Sequence, residues 1–454
     1  MSVSSYKVQV TSLLILGLLL EVACLEMVRI GDLRTSLVDL QDLLPASYFS
    51  SPFPLPSSLL LFWLPFAAAF FIYVVGVYQS YGHESRPSDR RLLGIILGIA
   101  VICRLTLLFS PPTLSDDIFR YVWDGKMQNQ GINPYLYPPE APEIANLRDE
   151  FHPGINNKHI STIYPPLTEM MFRLVDTIWH HPAVMKIFFT LCDLWIIVLI
   201  LRMLRDRQLP SYRVLIYAWN PLVMIEFAGT GHNDTLALSL MLAALIAVTS
   251  RKTVSAMVYI SLSFLSKFFA VVLLPEFYRV VRSIKPFWLI PAIIIVFYLP
   301  YIDAGSQLFH GLLVYGDKWR FNDSIFSMMV YMTGSLDYAK AIIAILFAGI
   351  ILIRFVLPPA PYKTAYIIVG AYLLLTPTLQ PWYMVWVIPF LCIFPNRAWI
   401  LLTGLAPISY HVAIQFIQTG IWSETTWIRY VQYIPFYSLL IIDVIKDKIR
   451  QMNH

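Results

Sequence analysis

The chain has 454 residues, of which 57% are hydrophobic and 13% are charged, and its mean hydropathy is +0.64. Soluble domains carry about 25% charged residues, so this composition excludes a soluble globular enzyme. The formal net charge is only +5 and the basic residues are scattered, so we expect no nucleic-acid partner. The four cysteines lie in apolar stretches without a CxxC pair, which argues against a zinc site or a disulfide framework.

Apolar runs recur along the whole chain. A helix that spans a bilayer needs about 20 such residues. The runs cover residues 8–28, 57–79, 92–110, 184–204, 214–230, 234–250, 286–302, 338–357, 364–379, 382–395, 398–417 and 432–446, with a longer region at 254–284 that is interrupted at Lys267. The pattern predicts an all-α polytopic membrane protein, with a bundle of about 12 transmembrane helices and a membrane hairpin.

The basic residues predict the orientation of this bundle. If both termini are cytoplasmic and 254–284 enters and leaves on one side, most Lys and Arg residues lie on the cytoplasmic side. The positive-inside rule predicts this distribution. We therefore expect one membrane domain over 1–454, with a large external loop, 111–182, inserted after the third span.

The external loop begins with the densest polar motif of the chain. Ser115 is a candidate N-cap, and Asp116 and Asp117 follow it in the first turn of a predicted helix. Asp116, Arg120 and Asp124 are spaced four residues apart and share one helix face. Two acids and a cation at the mouth of a helix bundle fit acid–base chemistry on an anionic substrate. They fit equally well a capped surface helix with a salt bridge.

The loop returns to the membrane through a proline motif. A helix is predicted to start near Pro166, because proline is favoured in the first turn. Tyr164 and Glu169 flank this start and are expected to be exposed. The motif could contribute to a site, but a proline-initiated helix at the membrane interface explains it as well.

Two further motifs place polar groups near membrane depth, where polar residues commonly serve function. His232, Asn233 and Asp234 lie between two spans and are richer in polar groups than a turn requires. Lys267 lies within the hydrophobic hairpin, so its ammonium must pair with an anion. A lipid phosphate would serve, and so would a structural carboxylate such as Glu276.

The remaining polar positions allow both structural and functional interpretations. Arg104 lies in the middle of a span, where a structural ion pair is as well supported as a function. Gln380, Trp382 and Tyr383 separate two apolar runs at the outer face. Trp and Tyr are typical of membrane interfaces, but Gln380 and the flanking prolines indicate the wall of a shaped pocket.

Together these segments resemble the GT-C superfamily of polytopic glycosyltransferases, and they are most similar to bacterial polyprenol-phosphate-mannose-dependent mannosyltransferases. The resemblance runs from about residue 90 to 395 and is carried by residues 115–125, 131–135, 163–167, 231–234, 266–268 and 380–383. It implies a lipid-phosphate sugar donor and chemistry at the non-cytoplasmic face. In many relatives the acidic loop follows the first span, whereas here it follows the third.

The resemblance also implies roles for the motif residues. Asp116 would be the base, held ionised by the helix N-terminus, with Asp117 as the second acid. An acceptor hydroxyl would displace polyprenyl phosphate in one inverting step, and Arg120, Lys267 and His232 would bind that phosphate. Substrate contacts are expected from Asp124, Tyr164, Asn233, Asp234, Gln380, Trp382 and Tyr383.

The expected partners are a polyprenyl-phosphate-linked sugar, expected to be mannose, a glycan or glycolipid acceptor, and the bilayer. No cofactor is expected, although Asp116, Asp117 and His232 are candidate ligands for a divalent metal. The resemblance implies a bacterial inner membrane, with the active site periplasmic. Two alternatives stay open: a multi-pass transporter or lipid flippase, and a lipid-A aminosugar transferase.

Overall fold

The computed structural model describes residues 3–41, 54–81, 90–112, 114–412 and 422–452. The two chain ends, predicted to be cytoplasmic, and residues 413–417 of the predicted span 398–417 lie outside them. The α-helices are α1 Val3–Gln41, α2 Pro54–Tyr81, α3 Arg90–Leu107, α4 Asp117–Asn129, α5 Pro166–Ile178, α6 Pro182–Asp206, α7 Leu215–Ala218, α8 Pro221–Met224, α9 Asp234–Thr249, α10 Thr253–Ser266, α11 Leu274–Val281, α12 Leu289–Tyr298, α13 His310–Lys318, α14 Ile325–Thr333, α15 Leu336–Val356, α16 Pro361–Leu375, α17 Ile388–Leu391, α18 Arg397–Leu405 and α19 Thr426–Met452. Within the described ranges the only strand-like pairing is an isolated bridge, so the predicted all-α class is confirmed.

Six helical segments of the described chain are long and apolar enough to cross a membrane. They are Val8–Gly31, Phe62–Ser80, Pro182–Asp206, Lys285–Lys318, Leu336–Val356 and Thr426–Lys446. No more than 50% of any of these segments is buried inside the protein, which leaves apolar surface for lipid. Shorter apolar helices cover Asp234–Thr249, Thr253–Ser266 and Pro381–Leu391. The chain is therefore helical and has the apolar helices of a membrane protein. The number of about 12 spans stays a prediction.

The region after α3 is a folded unit rather than an open connector. It contains α4, short 3₁₀ turns and α5, which begins at Pro166 as predicted. Asp116, not Ser115, occupies the N-cap position of α4, and the Ser115 hydroxyl accepts a hydrogen bond from the Asp117 N–H at 3.3 Å. Glu169 was predicted to be exposed, but it is fully buried because α5 packs that face against α4.

Helices α4 and α5 approach each other most closely at Gly125. A Cβ atom at this position would lie 2.6 Å from the carbonyl oxygen of Phe172 and 2.8 Å from the Cβ of Asp176. Contacts this short force backbone to move, and overpacking typically costs about 1–3 kcal/mol. The unit therefore depends on glycine at the crossing.

We expect Gly125→Ala to lower the free energy of unfolding by about 1–3 kcal/mol for this reason. Thermal unfolding of the purified protein in detergent measures the effect. Gly98→Ala is the matched control, because no atom lies within 4 Å of a Cβ added there in α3. Equal losses in the two variants would show that the helix crossing is not the cause.

A buried ion pair holds the membrane core together at Arg104. Its guanidinium pairs with Asp193 of α6, and both side chains are completely buried. The same guanidinium donates to the carbonyl of Ala218 at 2.8 Å, and the Tyr217 hydroxyl donates to Asp193 at 2.7 Å. These contacts support the structural interpretation of Arg104, since they tie α3, α6 and α7 together.

Lys186 of α6 determines where the chain leaves the bundle. Its ammonium donates to the carbonyl oxygens of Leu107, Leu108 and Ser110 at 3.2, 2.9 and 2.5 Å. A cation at a helix C-terminus complements the partial negative charge of the last carbonyls. The cap fixes the end of α3, and with it the short segment that leads to Asp116.

Candidate active site

Two adjacent carboxylates lie at the start of α4. Asn156, from the far part of the same loop, donates its side-chain amide to Asp116 at 2.5 Å and to Asp117 at 3.2 Å. Asp116 is exposed and Asp117 is half-buried. The shared donor holds the two acids side by side, with Asp116 accessible to a substrate hydroxyl.

His232 faces these acids from the turn before α9. Its Nδ1 donates to the Glu226 carboxylate at 3.1 Å, and its Nε2 lies 4.0 Å from a carboxylate oxygen of Asp117. Among the described residues, Nε2 has no hydrogen-bond partner although the ring is buried. The ring stacks on Trp382 with centroids 3.9 Å apart. Glu226 thus fixes the ring through Nδ1, and Nε2 can donate a hydrogen bond when the ring is in its protonated, imidazolium form.

Gly231 allows the histidine turn to approach α4. Its φ of +78° lies in the left-handed region, and a Cβ there would meet Ile118 at 2.7 Å. Glycine alone adopts this conformation at little cost and leaves this space. The turn therefore brings His232 against the first residues of α4.

Lys267 forms the cationic side of the site. Helix α10 ends at Ser266, and Lys267 is extended, as the predicted interruption of the hairpin requires. Its ammonium pairs with Asp234 at 2.5 Å and lies 4.5 Å from the ring centroid of Tyr383. About 24% of the Lys267 side chain stays exposed, so an anion could still reach it.

The carboxylate beside Lys267 is Asp234 and not the suggested Glu276. The Glu276 carboxylate instead accepts a hydrogen bond from the N–H of Ala360 at 2.6 Å. Asp234 also accepts from the indole of Trp386 at 2.6 Å. Its second oxygen is buried without a hydrogen-bond partner among the described residues.

The rings of Trp382 and Tyr383 form an aromatic wall between His232 and Lys267, and a short backbone bridge holds this wall in place. Phe321 donates its N–H to Pro377 at 3.0 Å and accepts from Leu379 at 2.8 Å. This pairing fixes the segment just before Trp382 and Tyr383, whose rings touch at 5.9 Å between centroids. Successive contacts therefore join the paired acids, His232, the two aromatic rings and Lys267. Gln380 lies just before this wall and is half-buried. Asn233 lies just before α9 and is buried.

Arg120 and Asp124 lie in a different environment from the paired acids. Inside the folded loop, the Nε–H of Arg120 is shared between the two carboxylate oxygens of Asp124, at 2.8 and 2.9 Å. The same network includes Glu169, which accepts from Thr162 at 2.6 Å. Burial, followed by the charge of Asp124, raises the pKa of Glu169 well above its usual range. These groups stabilise the loop from within.

Tyr164 was predicted to be exposed but is half-buried in the loop, because its ring packs against neighbouring aromatic residues. Its ring contacts Tyr121 and Phe172, each with centroids 5.3 Å apart, and its carbonyl accepts from the Tyr135 hydroxyl at 2.6 Å. The predicted stack of Asp116, Arg120 and Asp124 forms only between Arg120 and Asp124. The Asp116 carboxylate instead accepts a hydrogen bond from Asn156. The structure therefore brings together the first acids, His232, Asp234, Lys267 and the aromatic wall. It leaves Arg120 and Asp124 buried in the loop, with Tyr164 half-buried there.

The electrostatics of the paired acids differ from the expectation for a helix N-terminus. Partial removal of the carboxylate from water, followed by the charge of Asp117, raises the pKa of Asp116 to about 6. The hydrogen bond from Asn156 lowers this pKa but does not offset the increase. Asp116 is therefore a stronger base than an ordinary aspartate. Burial opposes protonation of His232, but the hydrogen bond and charge of Glu226 more than offset it and raise its pKa.

Asn156 and Glu226 are site residues that the sequence did not reveal. Asn156 lies in a polar turn with no distinguishing pattern. Glu226 stands in the apolar run 214–230, where an isolated acid is itself a signal of function or pairing. The Tyr410 hydroxyl donates to the Glu226 carboxylate at 2.8 Å, so this acid is held from both sides.

The suggested metal ligands do not converge in this arrangement. Within the described ranges, one group of three ligand types has its donor atoms all within 4.8 Å of one another, and it comprises Glu21, Cys24 and Cys103. Asp116, Asp117 and His232 do not form such a group.

Comparison with protein families identifies the class of enzyme. The family described as alpha-(1->6)-mannopyranosyltransferase, N-terminal domain, matches residues 28–282, which is more than half of the chain. The chain belongs to this family. It is therefore a glycosyltransferase of the mannosyltransferase kind, which favours this function over the transporter alternative. No curated protein and no solved structure matches the chain.

The matched range of this mannosyltransferase includes the paired acids, His232, Asp234 and Lys267. The aromatic wall at Trp382 and Tyr383 lies beyond it. The two parts meet in the fold, since His232 stacks on Trp382 and Lys267 lies over Tyr383. The candidate active site is thus formed by the family region together with a later segment of the chain.

We expect the turnover rate to fall about tenfold per pH unit below pH 6 if Asp116 is the base. A base acts only when deprotonated, and the pKa of Asp116 is raised to about 6, so its protonated fraction grows below that pH. Rates measured from pH 4.5 to 8 at saturating donor test this. The acidic limb should be missing from the residual activity of Asp116→Asn, and its persistence there would assign the limb to another group.

Proposed function

We propose that this enzyme transfers mannose from a polyprenyl-phosphate donor to a hydroxyl of a glycan or glycolipid. One observation carries the proposal: the contacts that join the paired acids to Lys267 through His232 and the aromatic wall. A base at one end of this wall would activate the acceptor hydroxyl, and a cation at the other end would bind the donor phosphate. The sugar would lie along Trp382 and Tyr383, whose rings can pack against it.

The reaction needs one proton transfer and one displacement. Asp116 takes the proton of the acceptor hydroxyl while that oxygen forms a bond to C1 of the sugar. The bond from C1 to the phosphate oxygen breaks, and the polyprenyl phosphate leaves with the electron pair. Lys267 and the Nε2–H of the protonated His232 ring stabilise the charge on the leaving phosphate.

The linkage named by the family gives the stereochemistry of this step. The family description specifies an alpha-(1->6) bond, and a single displacement inverts the configuration at C1. The donor would therefore carry a beta-linked phosphate, and the acceptor would offer a 6-hydroxyl of a mannoside. No metal takes part in the proposed step, so turnover should survive dialysis against EDTA.

The test is a reconstitution with purified protein. Polyprenyl-phosphate-mannose with a radiolabelled sugar is incubated with an alpha-mannoside acceptor, and the product is analysed by NMR for its anomeric configuration and linked position. Transfer that yields an alpha-1,6 product supports the proposal. A product made only from a nucleotide sugar would contradict the donor, and one linked elsewhere would contradict the acceptor position.

The proposed arrangement in the membrane is a GT-C-like bundle of about 12 spans, in which the shorter apolar helices complete the six long ones. The loop 111–182 and the active site then face the periplasm, as part of a single domain in the inner membrane. The apolar helices Asp234–Thr249 and Thr253–Ser266 are the first candidates for such shorter spans.

We expect Glu150→Cys to react with a membrane-impermeant maleimide in cells whose outer membrane alone is permeable. Glu150 is exposed on the loop, and the native cysteines are buried or half-buried. Arg205→Cys, at the opposite end of α6, is the matched control and should react only after the inner membrane is opened. The reverse pattern would invert the topology and move the donor to the cytoplasmic side.

A further inference from the structure

A cavity of about 520 Å³ lies at the far end of α6 and α9 from the candidate active site. Both helices begin on the side of that site, at Pro182 and Asp234, and the cavity is lined by residues at their other ends. At 1.5 Å per residue, the 16 residues of α9 alone separate the two places by about 24 Å. The cavity is therefore a separate feature on the opposite face of the bundle.

The lining of this cavity carries an excess of positive charge. Arg202, Arg207 and Lys363 line it together with one acid, Asp206. Asp206 pairs with Arg202 at 3.0 Å. No carboxylate of the described residues lies within ion-pair distance of Arg207 or Lys363, and both side chains are exposed. Two cations are thus left without a counter-charge around one concave surface.

Neutral groups of the cavity also suit an anion. Helix α16 begins at Pro361, so the N–H groups of Tyr362 and Lys363 lack helical partners and carry partial positive charge, while the N–H of Ala360 before them already donates to Glu276. Thr249 and Tyr362 also line the cavity, but their hydroxyl groups are already engaged, with each other at 3.1 Å and, for Thr249, with backbone carbonyls of its own helix. Phe394 and two prolines add an apolar side. The combination matches a phosphate with an attached apolar or neutral group.

We propose that this cavity binds a phosphate-bearing ligand, either a lipid phosphate headgroup or free phosphate, on the face opposite the candidate active site. The volume is within the range of about 300–1,000 Å³ typical of ligand sites. Basic pockets between membrane helices are suited to anionic headgroups. The site does not depend on the proposed function, since none of its residues belongs to the transfer reaction.

The experiment compares two charge-matched double variants of the full chain. Arg207→Gln with Lys363→Gln removes the two unpaired cations of the cavity, and Arg205→Gln with Lys252→Gln removes two exposed cations outside its lining. Native mass spectrometry in neutral detergent counts bound phosphatidic acid and, separately, phosphatidylcholine. Thermal unfolding with and without millimolar inorganic phosphate tests the free anion.

The cavity variant should bind phosphatidic acid at least tenfold more weakly than wild type, and the control should bind it as wild type does. If inorganic phosphate stabilises wild type and the control but not the cavity variant, free phosphate is a sufficient ligand. If phosphate stabilises none of them while lipid binding depends on the two cations, the ligand is the lipid headgroup. Equal losses in both variants, or undiminished lipid and phosphate binding in the cavity variant, would overturn the proposal. Mannosyl transfer measured in parallel separates this outcome from failure of the proposed reaction.

Discussion

Asp116→Asn should reduce turnover by about 10²–10⁴-fold, the typical effect of losing a general base. The amide keeps the shape of the carboxylate, and its oxygen can still accept the hydrogen bond that Asn156 donates at 2.5 Å. It cannot take a proton from the acceptor. Because the change leaves Lys267 and the aromatic wall intact, donor affinity should stay near the wild-type value.

The neighbouring positions provide the controls for this result. Asp117→Asn should cost less, since Asp117 is half-buried and faces His232 rather than open solvent. Asn156→Ala frees both carboxylates and should change the pH profile more than the maximal rate. If Asp117→Asn were the more severe change, the base would be Asp117. Full activity of Asp116→Asn would remove Asp116 from the mechanism.

Lys267→Met should weaken donor binding by about ten- to a hundredfold, because hydrogen bonds to charged groups contribute about 1.5–3 kcal/mol. Methionine fills a similar volume beside Tyr383 and Trp386 but cannot bind a phosphate. The change also leaves Asp234 buried without its cation, so some loss of thermal stability should accompany it. Donor binding is measured by titration with a short-chain polyprenyl-phosphate-mannose.

A double variant separates the two roles of Lys267. Lys267→Met combined with Asp234→Asn removes the uncompensated buried charge, so stability should recover while donor affinity stays low. Asp234→Asn alone keeps the cation and should bind the donor more tightly than the double variant does. Recovery of both stability and affinity in the double variant would make Lys267 only the structural partner of Asp234.

Local patterns predicted much of the secondary structure around the site. The helix that starts at Pro166, the interruption at Lys267 and the acids at the start of α4 all follow from properties of a few adjacent residues. The N-cap was misplaced by one residue, and Glu169 was predicted to be exposed although it is buried. Its burial depends on α4 packing over it, which adjacent residues do not encode.

Composition, apolar periodicity and motifs are local properties of the chain, and they suffice to predict helices, membrane spans and a mannosyltransferase family. The pairing of distant charges follows from the way the helices pack. Lys267 pairs with Asp234 rather than Glu276, and Arg104 with Asp193. In an apolar interior each buried charge needs a partner, and the choice among distant candidates depends on how the helices pack, which spacing along the chain cannot specify.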